Sequence, residues 1–246
     1  MKKLFIALSV SILVCGLAPI VEATPITFTG ASGNLSASVT FDTSGTNFIV
    51  TLTNTSLNDV LVPADVLTGI FFTIPGNLAL TRISAVLGTG SSVFYDPDGQ
   101  PPGGVVGGEW AYKNGLLGAP GGANQGISSS GFGLFGSFDL FPGADLAPPV
   151  SPDGLNYGIL SAGDNTLTGN TGVTGKGGEI KNSVIFTLGG LPINFNLATI
   201  SNVNFQYGTA LNEPNIPVPE PSTLLLLGAG LIGFGILGRK RLKRKE

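Results

Sequence analysis

The chain has 246 residues, carries few charges for its length, and contains no histidine and one cysteine. The missing histidines exclude Ser-His-Asp and Cys-His catalysis, histidine metal ligation and an imidazole acid or base at neutral pH. Cys15 lies in the opening segment, so the remainder has no disulfide, thiol nucleophile or thiolate metal site.

The chain opens with Met1-Lys2-Lys3, an apolar stretch from Leu4 to Val14, and Val21-Glu22-Ala23. A basic start, a short apolar core and a small-x-small site predict a secretory signal peptide over residues 1–23, cut after Ala23 and exported by the Sec translocon. Ile12-Leu13-Val14 before Cys15 lacks the small residue that lipidation needs.

From Thr24 to Glu213 there are four basic and twelve acidic residues, a net charge of −8. Eight of the twelve basic residues sit in the two ends. An acidic body argues against nucleic-acid or anionic-lipid binding and suits cations, neutral glycans or simple solubility. Frequent Gly, Ser, Thr and Asn, interspersed with Ile, Val, Leu and Phe, favour a folded body of strands and turns over disorder.

Leu35, Ala37, Val39 and Phe41 alternate with Ser36, Ser38 and Thr40. After the turn chemistry of residues 42–47, Phe48, Val50 and Leu52 alternate with Ile49, Thr51 and Thr53. This predicts an antiparallel hairpin. Further strands are expected at 69–74, 78–87, 92–95, 131–141, 155–160, 181–188 and 199–207. Residues 96–126 break the pattern as a Gly/Pro-rich insert, which a compact domain keeps for function or leaves mobile. Residues 213–217 read as a stiff, exposed linker. The fold expected is all-β: an antiparallel β-sandwich over residues 24–212, with a jelly roll as one arrangement of it.

Chemistry-bearing residues are sparse. Asp96, Asp98 and Glu109 lie near Trp110 and Tyr112, a set that could flank and stack on a sugar. The plainer reading, an acidic turn followed by core aromatics, is preferred. Asp96-x-Asp98-Gly99 begins like a calcium loop, but Gly107 stands where the bidentate glutamate belongs. No cofactor or metal site is expected.

The last 29 residues carry the strongest signal. Val218-Pro219-Glu220-Pro221 (closing a linker and motif over 213–221) is extended by its prolines. An uncharged run follows over 222–238, rich in Leu224, Leu225, Leu226, Leu227, Leu231, Ile232, Phe234, Ile236 and Leu237. Its 17 residues make a helix of about 25 Å, the lower limit for a hydrocarbon core of about 30 Å. Residues 239–246 close with Arg239, Lys240, Arg241, Lys243, Arg244 and Lys245, a cluster that stays cytoplasmic.

This order of parts resembles the PEP-CTERM sorting signal of bacterial exosortase substrates. The resemblance implies that an exosortase, an integral-membrane cysteine-peptidase-like enzyme, recognises Val218–Pro221. It implies that the precursor is held in the inner membrane, that the tail is removed, and that the body passes to the surface or extracellular matrix. It associates such proteins with exopolysaccharide and biofilm, making exopolysaccharide a candidate partner. The body as a whole, including residues 205–209 and 213–215, resembles exosortase-dependent surface proteins. The expected role is non-enzymatic; the alternative is a glycan-binding or glycan-active site in residues 96–126.

Overall fold

A computed structural model describes residues 24–219 except 97, 153 and 176. The expected signal peptide, Glu220, Pro221, the apolar run and the basic cluster lie outside the described residues.

Thirteen strands form in chain order: β1 (Ile26–Ser32), β2 (Leu35–Ser44), β3 (Asn47–Asn54), β4 (Leu67–Thr73), β5 (Thr81–Leu87), β6 (Ser92–Phe94), β7 (Ala111–Asn114), β8 (Gln125–Ser128), β9 (Ile159–Leu160), β10 (Glu179–Lys181), β11 (Ser183–Gly189), β12 (Ser201–Tyr207) and β13 (Asn215–Pro217). One sheet has the order β1-β2-β3-β11-β5. The other runs β13-β12-β4-β9-β10-β6, with β8 pairing both β4 and β7. Among the described residues only β9 and β10 pair parallel. The body is therefore mostly β, with two sheets facing across one core, as a sandwich requires.

The hairpin forms in the expected phase. Ala37, Val39 and Phe41 of β2 and Phe48, Val50 and Leu52 of β3 are fully buried. Its turn is shorter than the polar stretch suggested: β2 runs to Ser44 and β3 resumes at Asn47. Phe41 stacks on Phe48 at 5.4 Å and meets Phe72 of the opposite sheet at 5.1 Å. β4 is buried at six consecutive positions, Leu67 to Phe72. Its outer face is covered by Leu116, Ala119 and Ala123, which pack with Phe71.

Three expectations change. Residues 96–126 are not a free loop: they supply β7 and the start of β8, and bury Val106, Trp110 and Tyr112 in the main core. The many glycines let backbone pack on backbone there; a Cβ on Gly107 would collide with the Pro142 carbonyl at 2.0 Å. Residues 131–141 form no strand. Gly131, Phe132 and Gly133 have φ of 70°, 52° and 71°, which turns the chain, and Phe138 ends 94 % exposed. Residues 213–217 are not a free linker, because Asn215–Pro217 is a strand of the sheet.

Trp110 ties the insert to the core. Its ring centroid lies 5.0 Å from that of Phe186, and its Nε1–H donates to the Tyr157 carbonyl at 3.1 Å. Trp110→Ala would leave a cavity and an unmatched carbonyl. Urea unfolding of the body should show a loss of about 3–5 kcal/mol; a loss below about 1 kcal/mol would mean that the insert is not part of the core.

Candidate functional site

The motif at the end of the chain is mounted on β13. This strand pairs antiparallel with β12, with Asn204 opposite Pro217, Phe205 opposite Ile216 and Gln206 opposite Asn215. Ile216 is buried, and Val218 packs on the core from the same side. Pro214, Pro217 and Pro219 are exposed. A strand with proline is tolerated at a sheet edge because its missing N–H faces no partner. The Val218 N–H still donates to the Val203 carbonyl at 2.8 Å, one residue beyond the strand.

The turn into β13 is tied as well. Oε2 of Glu213 accepts from the backbone N–H groups of Thr209 and Ala210 at 2.5 and 2.8 Å. The fully buried Gln206 side chain donates to the Tyr207 and Ala210 carbonyls. Asn215 Nδ2 donates to the Phe205 carbonyl at 3.2 Å. The folded body thus reaches Val218, and Pro219 is the last described residue before Glu220. The alternation of Ile216 and Val218 with exposed prolines was the available signal for this strand; proline content obscured it.

The other candidates are dispersed or buried. Trp110 and Tyr112 are core residues and present no ring to solvent. The Tyr112 hydroxyl donates to Gln125 Oε1 at 2.5 Å, and burial pushes it up to about 12. Glu109 is buried, its Oε1 accepting from the N–H groups of Leu146 and Ala147 at 2.6 and 3.0 Å. It organises the 144–147 chain. Asp96 accepts from the Tyr157 hydroxyl, and burial raises the tyrosine first, that contact second. Asp139 caps the Gly136 N–H and pairs with Lys113 at 3.3 Å. Among the described residues no three acidic, cysteine or histidine side chains come together to hold a metal ion. One cavity, of about 580 Å³, is lined by Pro63, Ala147, Pro148, Leu155, Asn156 and Thr209, none of them charged.

Residues 217–241 match the family model of the PEP-CTERM protein-sorting motif. The chain carries a PEP-CTERM sorting motif at its C-terminus. No curated protein and no solved structure matches the chain. The matched segment begins on the last residue of β13, so the PEP-CTERM motif and the sheet share Pro217. It covers Val218–Pro221, the apolar run and Arg239–Arg241; Lys243–Lys245 follow it. Such a motif implies export, a membrane-held precursor and exosortase processing. Among the described residues no helix is long and apolar enough to cross a membrane.

One acid of the body stands outside this picture. Glu179 of β10 is fully buried, and neither carboxylate oxygen has a hydrogen-bond partner among the described residues. Ile180 faces the inter-sheet core, so Glu179 points to the other side of β10. A smaller apolar cluster of Val60, Val66, Leu155, Leu160 and Val173 packs beside that side. Burial raises Glu179 well above the usual carboxylate range, and the nearby Asp164 adds to it. Asp164 is itself raised, by burial first. Tyr95 completes the acidic neighbourhood, and Lys181 donates to the Asp164 carbonyl at 2.5 Å.

A carboxyl raised by folding binds its proton more tightly folded than unfolded. The protein therefore loses stability as pH rises above the ordinary glutamate range and through the raised value. Glu179→Gln should flatten this decline as pH rises above the ordinary glutamate range, measured as the thermal midpoint against pH. Equal slopes in the two proteins would show that Glu179 is not the group responsible.

Proposed function

We infer that this is a non-enzymatic surface or matrix protein whose C-terminal motif delivers a β-sandwich body to the cell exterior. Residues 222–238 hold the precursor in the inner membrane, with Arg239–Lys245 on the cytoplasmic side. The exosortase reads Val218–Pro221 and removes the tail. The observation that carries this reading is the match over residues 217–241, mounted directly on a folded body.

The body supports a structural role over a catalytic one. It has no histidine, and the acids of residues 96–126 serve the fold: Glu109 holds the 144–147 chain and Asp96 receives Tyr157. Trp110, the stacking platform a glycan would need, is at 0 % exposure. Exopolysaccharide or another envelope polymer would then meet the outside of the sandwich rather than a cleft in that insert, in keeping with biofilm or matrix biology.

Mass spectrometry of the mature C-terminus tests the reading. The wild type should lack Glu246 and end near Pro219–Pro221, whereas Glu220→Ala should accumulate the tailed precursor. Recovery of intact Glu246 from the surface-exposed wild type would overturn it.

A further inference from the structure

The two ends of the sandwich are not equivalent. In the first sheet, β2 and β3 meet at the turn 45–46, and Gly189 at the end of β11 pairs with Asn47 and Thr81. In the second sheet, Thr73 at the end of β4 pairs with Ser201 at the start of β12. Residues 74–80 and 190–200 link these two sets of strand ends, so they form one end of the body. β13 runs toward that end, and β1 starts near it, with Ile26 opposite Phe41.

The tether to the membrane is short. Val218 sits beside Val203, and Ser201 lies two residues nearer the end, about 7 Å along the strand. From Val218 to Ser222, where the apolar run begins, is four steps of chain, at most about 14 Å. After clearing the end of β12, about 7 Å of reach remains. The headgroup layer on one side of a bilayer is about 5–8 Å thick. The body has no room to stand off from the leaflet that holds its tail.

Three exposed apolar side chains lie at this end, Ile83 at 44 % beside Gly189 and two that are more exposed. Ile193, 78 % exposed, is on the connection that leaves β11. Leu117, 89 % exposed, is two residues past Gly115, whose N–H donates to Asn77 Oδ1 at 2.9 Å. Asp59, Asp65, Asp164 and Glu213 lie at the opposite end, where β4 starts and β12 finishes, away from anionic headgroups. Exposed Leu57 and Leu167 are also at that far end, the length of β4 or about 23 Å away. The tether cannot bring them to lipid.

We propose that the end bearing Ile193 and Leu117 is a lipid-docking face. Both side chains enter the headgroup layer of the outer leaflet of the inner membrane, and the strands stand upright until the tail is removed. This rests on the reading of residues 222–238 as the membrane span. The docking holds Val218–Pro221 at the lipid surface, within reach of a membrane-embedded processing enzyme.

The full chain, with Cys15→Ser, is spin-labelled singly at Ile193→Cys, Leu117→Cys or Leu167→Cys and reconstituted in phosphatidylethanolamine–phosphatidylglycerol vesicles. Flotation reports whether the chain is anchored. The ratio of oxygen to nickel-chelate accessibility reports immersion. The expected result is a ratio several-fold higher at residues 193 and 117 than at 167. A chain that floats but shows equal ratios at all three keeps its anchor and overturns the docking face. A chain that fails to float overturns the anchor reading and the docking with it.

Discussion

The pairing of β13 with β12 is the constraint on which the arrangement depends. Three residues, two of them flanked by proline, complete one sheet and carry Ile216 across to the other: a Cβ on Gly30 of β1 would lie 2.9 Å from Ile216 Cγ2. Gly30 is needed at that close approach because any side chain would push the two sheet edges apart. The strand thus closes the seam between the sheets. It also places the start of the sorting motif on the edge of the sheet.

The opposite side of the sandwich is closed by the glycine-rich insert. Val106 N–H donates to the Ala85 carbonyl at 3.0 Å, placing residues 105–110 against β5. Trp110 and Phe141 both reach Phe186. The insert buries large rings where the sheets splay, and its glycines let several backbone segments lie in direct contact. Its cost in side-chain packing surface is offset by the size of the rings it contributes. This explains an acidic, charge-poor body that nonetheless has one extensive core.

The sequence was legible where local pattern and tertiary position agree. β2 and β3 alternate cleanly, and their inward residues are those the pattern marks. The acidic turn and core aromatics at 96–112 were also preferred on sequence. Legibility failed where composition suggested loop but topology supplied partners. β13 has too few residues for a periodic signal, and its prolines suit either a linker or an edge strand. Residues 131–141 failed in the other direction: Phe132, Leu134 and Phe135 are apolar because they cover the outer face of β4, in a turn rather than a strand. The tail was read from its three ordered parts without any help from the fold, and the match over residues 217–241 agrees with it.

Mounting a processing motif directly on an edge strand has a mechanical consequence. A flexible spacer would let the motif sample many orientations, and the body would be irrelevant to its presentation. Here the Val218 N–H is already bonded to the sheet, so the backbone direction of the motif is inherited from β13. Pro217 and Pro219 then restrict φ at alternate positions along the start of the motif. Because Pro217 and Pro219 cannot donate to a neighbouring strand, the exposed edge also resists pairing with another chain. An open sheet edge and an exposed motif leaving it are thereby compatible, because the prolines take away the donors that a second copy would pair with.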